Sequence, residues 1–281
     1  MKNKSFEWEI NAQTSWFGTG YKELARYRDL LISLVRKEYL SSYQQTLLGP
    51  VWVLLQPVLT VLIYVLVFKE VMGFSTEGKP AIIYYMVGIT LWNYFSELFT
   101  NVSYTFVYNT AIYEKVYFPR LISPISMVLL NLIRLGIQLV LLLIVVLYFY
   151  ANEKIDLDLM RLLLAFPVIA ITTGIAMGSG LLFSLISVKY KDLLGLLQLL
   201  LRLMMFVCPI FFSTAMVPKK ISWLVEMNPL SPLFELFRYA FLNIGHFSMN
   251  SIIYSIVFMF IILISGIACF NKTNEKLIDL A

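Results

Sequence analysis

The chain has 281 residues, of which 59% are hydrophobic and 14% charged, whereas soluble domains carry about 45–50% apolar and about 25% charged residues. This composition excludes a water-soluble enzyme and a disordered chain, because a soluble fold would leave a large apolar surface uncovered. The net charge of +5 reports on membrane topology rather than nucleic-acid binding, because the basic residues lie mainly between apolar segments. The composition therefore predicts an all-α polytopic membrane protein.

Residues 1–50 form a predicted cytoplasmic segment that contains an amphipathic interface helix. Within 21–47, apolar residues such as Leu34 and Val35 recur on one helical face, and basic residues such as Arg36 lie largely on the other. A cationic amphipathic helix is typical of the lipid interface or of packing on a partner, and a solvated capping helix is the alternative. The first fifty residues contain no apolar run like that of a signal peptide, which predicts a cytoplasmic amino terminus.

Six apolar segments within a predicted transmembrane domain, 51–270, are each long enough to cross about 30 Å of hydrocarbon. The third apolar run begins with residues 121–126, which contain a proline and two serines and are predicted to form a separate interface helix. Lys and Arg outside the segments lie mostly on the side of the two termini, so both termini and the tail 271–281 are predicted to be cytoplasmic. The spans are predicted at 51–71, 81–103, 127–150, 159–186, 193–217 and 251–270.

The connection between the fifth and sixth spans is too apolar for an ordinary loop and is interrupted by Pro218, Pro229 and Pro232. Broken helices at membrane depth are tolerated only when they pack in protein or line a water-filled cavity. Residues 218–245 are therefore predicted to form re-entrant helices that act as an external gate, with an interfacial lid as the alternative.

The sequence contains no complete catalytic or metal-binding motif. The stretch from Gly73 to Pro80 almost matches a phosphate-binding loop, but proline stands where the magnesium-binding Ser or Thr is required. The single histidine, His246, has no Cys, Asp or Glu at metal-ligand spacing. The chain is predicted to be non-catalytic, with no metal or cofactor of its own, so any ATP must be bound by another chain.

Three charged residues fall inside predicted spans, and two aromatic residues accompany them. Glu97, Arg134 and Arg202 are costly in hydrocarbon and are expected to face the bundle interior. The structural interpretation is an ion pair between Glu97 and one arginine; the functional one is that the surplus arginine contacts an anionic substrate such as a lipid pyrophosphate. Trp92 and Phe95 either stack on sugar faces in a conduit or pack as core.

Four stretches together resemble the permease subunits of bacterial polysaccharide exporters, the O-antigen, capsule and teichoic-acid type of the ABC-2 family. One departure is Lys191, which stands where the family usually has arginine; the charge is kept and the bidentate geometry is lost. The four stretches are Leu48 to Trp52 with Gln56 and Pro57, Lys115 to Arg120 with Pro124, Lys189 to Leu193, and Asn228 to Leu230 with Glu235 and Arg238.

The resemblance implies a homodimer with two copies of a separate nucleotide-binding ATPase, which would bind ATP and magnesium. It also implies a long polyprenyl-pyrophosphate-linked glycan as substrate, exported across the bacterial plasma (inner) membrane, and it assigns roles to two sets of residues. Contacts with the ATPase would be made by Glu114, Lys115, Tyr117, Phe118, Pro119, Arg120, Lys189, Lys191 and Asp192. The external gate would contain Pro218, Trp223, Asn228, Pro229 and Arg238.

The residue patterns and the family resemblance together predict that this chain is the transmembrane permease subunit of an ATP-driven polysaccharide exporter. The alternatives are a secondary transporter, which would need ion-coupling carboxylates near the midplane or inverted repeats, and another ABC-2 exporter of a lipid or small molecule. An enzyme acting on polyprenyl-linked glycans would need interfacial acidic or histidine residues on one face.

Overall fold

The computed structural model describes residues 27–44, 49–105, 118–190 and 192–273, and within these ranges the chain forms helices and turns without a strand. The predicted all-α class is therefore confirmed for this part of the chain. The α-helices are α1 (Arg28–Tyr43), α2 (Trp52–Tyr64), α3 (Ala81–Ser103), α4 (Ile122–Ala151), α5 (Leu159–Leu162), α6 (Ala165–Lys189), α7 (Leu193–Val207), α8 (Ser222–Glu226), α9 (Ser231–Leu242) and α10 (Met249–Thr273).

Helix α3 lies at the centre of the bundle, where it packs against α2, α4, α6 and α9. Every residue from 83 to 92 is buried, so this half of α3 has no exposed face. A helix that is apolar all round is expected in the interior of a bundle. The carboxyl-terminal half is polar on one side, and that side faces a groove between α3, α4 and α7.

Four helical stretches are long and apolar enough to cross a membrane. Helix α3 has 23 residues and is also long enough. It is not one of the four apolar stretches, and its carboxyl-terminal half carries polar residues. Helix α7 has 15 residues, a length of about 22 Å, which is less than the thickness of a hydrocarbon core. Six spans and the orientation of the termini stay predictions. The four stretches are Trp52–Val71, Ile122–Ala151, Leu159–Ser187 and Met249–Lys272.

The structure shows no break between residues 121–126 and the span predicted from residue 127, and where that span begins stays a prediction. Helix α4 runs without interruption from Ile122, and Pro124 lies in its first turn. A proline is tolerated there because the first amide groups of a helix have no intrahelical acceptor, so the missing N–H leaves no bond unmade.

Helix α7 ends at Val207, ten residues before the predicted end of the fifth span at residue 217, and the bounds of that span stay a prediction. Cys208 is extended, with φ −76° and ψ 141°. Steric contact with the following Pro209 disfavours the helical conformation at this position. The chain then continues through short turns to α8 and α9.

Helices α6 and α10 pack closely through glycines. A Cβ atom on Gly178 would lie 2.7 Å from the carbonyl oxygen of Ile262, and one on Gly266 would lie 2.6 Å from the carbonyl oxygen of Gly178. No other residue fits at this separation without moving the backbone. Small residues allow such close approach where helices meet in a membrane.

Helix α1 packs on α4 with the apolar face predicted from its sequence. Leu34 is buried against Phe118 and Ile122 in a small cluster separate from the main core, while Arg36 and Lys37 are exposed. The helix therefore packs on the bundle of its own chain, and its place at the lipid interface or on a partner stays a prediction. Residues 21–26 and 45–47 of the predicted helix lie outside the described ranges.

Helix α9 lies in the connection predicted to be re-entrant and is almost entirely buried. It packs against α3, α5, α6 and α10, and Tyr239 is its one residue that is not fully buried. This part of the connection is thus covered by protein, the condition under which a broken helix is tolerated at membrane depth.

Candidate functional site

A groove of about 330 Å³ lies between α3, α4 and α7. It brings together four of the five residues predicted for a substrate conduit, namely Trp92, Glu97, Arg134 and Arg202. The complete lining consists of Trp92, Ser96, Glu97, Thr100, Asn101, Arg134, Gln198, Leu201, Arg202 and Met205.

Helical periodicity places these side chains on the groove. On α3, Trp92, Ser96 and Thr100 follow one another at intervals of four residues, and residues at that interval share a helical face. On α7, Gln198, Leu201, Arg202 and Met205 are spaced by three, one and three, which also defines one face. The groove is therefore the meeting of two polar helix faces.

An ion pair crosses the groove wall between α3 and α4. The Nη1 atom of Arg134 lies 3.7 Å from Oε2 of Glu97, and the two side chains are 19% and 38% exposed. The Nη2 atom of Arg134 donates a hydrogen bond of 2.9 Å to the hydroxyl of Ser42 on α1. One guanidinium thus connects the amphipathic helix α1, helix α4 and the groove.

A second polar link joins α3 and α4 one turn away. The side-chain amide of Asn101 donates to the side-chain carbonyl of Asn131 at 3.2 Å, and Asn131 donates to the backbone carbonyl of Met127 at 2.7 Å. Asn131 is only 1% exposed. This part-buried link joins the two helices beside the ion pair.

Arg202 is exposed on α7 and makes no ion pair with any residue that the structure describes. With Glu97 and Arg134 it gives the groove a net charge of one positive unit. Arginine guanidinium groups bind carboxylate and phosphate oxygens through paired N–H donors. The groove is therefore suited to an anionic group.

The two aromatic residues predicted for the conduit have different positions. Trp92 lines the groove, whereas Phe95 is 3% exposed and lies behind it. The rings of Trp92 and Phe95 are 5.8 Å apart, and Phe95 stacks on Phe99 at 5.9 Å. Phe95 is not among the residues that line this groove, because its position on α3 turns its ring into the core beside Trp92, and its assignment to the conduit stays a prediction.

The predicted ATPase-contact residues are only partly described. Glu114, Lys115, Tyr117 and Lys191 lie outside the described ranges, and Lys189 is the last residue of α6. Phe118 is buried against α1, and Pro119 and Arg120 form the turn that enters α4. Asp192 is exposed and immediately precedes α7. The described members thus lie at the start of α4, where α1 also packs, and at the start of α7.

A second ion pair is buried in the predicted gate. Glu235 and Arg238 on α9 are 0% and 1% exposed, with Oε2 and Nη1 3.1 Å apart. Glu235 also accepts hydrogen bonds from the backbone N–H groups of Thr214 at 2.8 Å and His246 at 3.1 Å. One carboxylate therefore connects the chain before α9 to the chain after it.

The guanidinium of Arg238 is held by its surroundings as well as by Glu235. It donates to the backbone carbonyl of Pro209 and lies over the ring of Tyr84 on α3, with its central carbon 4.4 Å from the ring centroid. A cation over an aromatic face is stabilised by the ring quadrupole. The pair thus attaches α9 to α3 and to the end of α7.

The other predicted gate residues lie nearer the surface. Trp223 and Pro218 are exposed, whereas Asn228 and Pro229 are partly buried. The Asn228 side chain donates to the sulfur of Cys208 at 3.2 Å and accepts from the backbone N–H that follows Pro229 at 3.0 Å. The segment thus has an exposed part and a part bound to the bundle.

Sequence reasoning missed the roles of Ser42, Asn101 and Glu235. The polar spacing of Glu97 and Asn101 on α3 could have indicated one face, and the spacing of Glu235 and Arg238 fits an ion pair on a helix. Nothing in the sequence near Ser42 indicates its contact with Arg134, because the two residues are 92 positions apart.

Comparison with known proteins places the chain in a defined group. The family described as ABC-2 type transporter matches residues 29–242. An O-antigen export system permease protein RfbA of Klebsiella pneumoniae is 28% identical over 254 residues, which cover 90% of this chain and 95% of that protein. A protein of the same name from Myxococcus xanthus is 29% identical over 223 residues, 78% of this chain and 83% of that protein.

Proposed function

The chain belongs to the ABC-2 type transporter family, and on that premise we propose that it is the permease subunit of an ATP-driven exporter of O-antigen-like polysaccharide. The observation that most strongly supports this proposal is the alignment of the chain with an O-antigen export permease, which covers 90% of this chain and 95% of that protein. The four apolar helices long enough to span a bilayer agree with a multi-pass membrane protein. A secondary transporter is not favoured, since the family and its named relatives are of the ABC-2 export type.

The proposed substrate is a polyprenyl-pyrophosphate-linked glycan, which leaves the cell across the bacterial inner membrane. Its pyrophosphate would contact Arg134 and Arg202 in the groove, and its sugars would stack on Trp92. The net positive charge of the groove supports this role, because anionic oxygens are strong acceptors for guanidinium groups.

The exposure of Arg202 supports a homodimer. Burying an unpaired cation in hydrocarbon is costly, so charged residues of membrane helices face protein or water. A single protomer leaves Arg202 uncovered. A second copy facing the groove would enclose it in a water-filled conduit between protomers.

Two copies of a separate ATPase subunit, which bind ATP and magnesium, would drive the export. The proposed contacts are the 114–120 segment and residues 189–192. Phe118 packs against α1, so a force on the first segment would reach both α1 and α4. The 218–245 connection would close the conduit on the outer side.

Export by cells tests this proposal. A strain that lacks this chain should lose its surface polysaccharide and accumulate the lipid-linked glycan inside, and the wild-type chain should restore export only together with an active ATPase partner. Charge reversal at Arg120 should lower ATPase stimulation, whereas reversal at the exposed Lys154 is a matched control. Normal export without any ATPase partner would contradict the proposal.

A further inference from the structure

We propose that Ser42 is a positioning residue, which directs the guanidinium of Arg134 toward the groove and so couples helix α1 to the binding of a phosphate-class anion there. This inference rests on the proposed function and deepens it. The contact observed is the 2.9 Å hydrogen bond from Nη2 of Arg134 to the Ser42 hydroxyl oxygen.

The direction of this hydrogen bond is fixed by the chemistry of both groups. A serine hydroxyl has one donor and two acceptor lone pairs, whereas arginine only donates. The Ser42 hydroxyl donates to the backbone carbonyl of Glu38 at 2.7 Å. Its oxygen is therefore oriented to accept from Arg134, and the hydroxyl cannot rotate away without losing its own bond.

The bond to Ser42 competes with the ion pair of Arg134. At 3.7 Å, the separation between Nη1 and Glu97 is longer than a hydrogen bond. A guanidinium that released Ser42 would be able to form two parallel bonds with the Glu97 carboxylate. Such a closed pair would neutralise the Arg134 charge and leave Arg202 as the remaining cation of the groove.

A side-chain contact joins the two helices beside the ion pair. The part-buried hydrogen bond between Asn101 and Asn131 links α3 to α4. With the helices joined there, the conformation of the arginine side chain, whose Nη2 atom is bound by Ser42, contributes to the distance between Arg134 and Glu97.

Helix α1 is suited to act as the moving part. Most of its apolar contacts belong to a small cluster around Leu34, Phe118 and Ile122, separate from the main core, against which Tyr39 of α1 packs. A shift of α1 would thus remove Ser42 from Arg134 without opening the bundle. Phe118 belongs to the proposed ATPase-contact segment, so the state of the ATPase would reach the groove charge through α1.

The test measures binding of a lipid pyrophosphate to the full-length permease with its ATPase partner in nanodiscs. The probe is undecaprenyl pyrophosphate, and undecaprenol is the uncharged control. Ser42→Ala should weaken pyrophosphate binding about fivefold, which is less than the tenfold change in affinity that corresponds to about 1.4 kcal/mol. Ser42→Thr should restore binding because the hydroxyl returns, and undecaprenol binding should stay unchanged in both variants.

Ser41→Ala is the matched control, because the Ser41 hydroxyl donates to the same Glu38 carbonyl, at 3.1 Å, without a bond to Arg134. Equal pyrophosphate binding by Ser42→Ala and Ser41→Ala, with weaker binding by Arg134→Ala, would overturn the role of Ser42 and leave the groove function intact. Wild-type binding by both Arg134→Ala and Arg202→Ala would instead contradict the proposed groove function. Equal weakening of undecaprenol binding by Ser42→Ala would show a general structural effect and would also overturn the inference.

Discussion

Two arginine–glutamate pairs of this protein differ in almost every physical respect. Glu235 and Arg238 are 0% and 1% exposed and lie within one helix at 3.1 Å. Glu97 and Arg134 are 38% and 19% exposed, lie on different helices and are 3.7 Å apart. The first pair is enclosed by backbone groups and an aromatic ring, whereas the second faces an open groove.

This difference separates a structural pair from one that remains available to a ligand. A buried pair must satisfy its charges within the protein, because desolvation is costly and no water can replace a lost partner. Glu235 meets this demand through two backbone N–H groups as well as Arg238. Arg134 is shared between Ser42 and Glu97, so an anionic ligand can compete for it.

The largest effect is expected from removing the buried carboxylate. Glu235→Ala leaves Arg238 buried without its counter-ion and removes the acceptor of two backbone N–H groups. The expected loss of unfolding free energy is about 3–5 kcal/mol, measured by thermal or denaturant unfolding in detergent. Glu97→Ala is the control and should cost less, because the groove pair is partly exposed and Arg134 keeps its hydrogen bond to Ser42. Equal losses would remove the distinction between the two pairs.

Exchanging the charges of the groove pair should have an intermediate effect. The double variant Glu97→Arg with Arg134→Glu keeps an ion pair across α3 and α4, so the protein should fold and bind its ATPase partner. Export should fall about tenfold or more, because a contact to the pyrophosphate worth about 1.5–3 kcal/mol is displaced. Quantification of surface polysaccharide measures the effect. Full export by the double variant would reduce the groove pair to a structural role.

The smallest effect is expected at a third pair, Asp158 and Arg161, whose aspartate is 46% exposed. Asp158 accepts from the backbone N–H of Met160 at 2.9 Å, and Arg161 lies 3.1 Å away. The N–H bond and then Arg161 hold the pKa of Asp158 below its ordinary value. A lowered folded-state pKa contributes stability above the ordinary aspartate pKa, and this contribution is lost as the pH falls through the folded-state value.

The measurement is unfolding of wild type and Asp158→Ala at neutral pH and near pH 3. Wild type should be slightly more stable at neutral pH, and the difference should shrink in acid. A stability difference between wild type and Asp158→Ala that grows in acid would contradict the lowered pKa of Asp158. Together these measurements would separate the fully buried pair from the two partly exposed pairs.

Features set by helical periodicity were predictable from the sequence. The apolar face of α1 follows from spacing, since residues three or four apart share a face. That Glu97, Arg134 and Arg202 face the interior follows from the cost of placing charges in hydrocarbon. The structure brings these three charges to one groove. The end of α7 was also marked in the sequence by Pro209, because the residue before a proline disfavours the helical conformation.

Contacts between distant parts of the chain were not predictable in this way. Arg238 was assigned to the gate, but its burial depends on Tyr84 and Pro209, which approach it only in the folded bundle. The rotation of α3 that turns Phe95 into the core depends on which neighbours surround that helix. The Ser42 contact likewise requires α1 to pack on α4, which no local pattern specifies.

Reconstitution of the permease and its ATPase partner in proteoliposomes tests the central claim most directly. The measurement is the ATP-dependent movement of a polyprenyl-pyrophosphate-linked glycan across the bilayer, compared between wild type and Arg134→Ala. We predict movement that requires ATP hydrolysis and falls about tenfold in the variant, a change equal to about 1.4 kcal/mol. Glycan movement that proceeds without ATP, or at the same rate in Arg134→Ala, would contradict it.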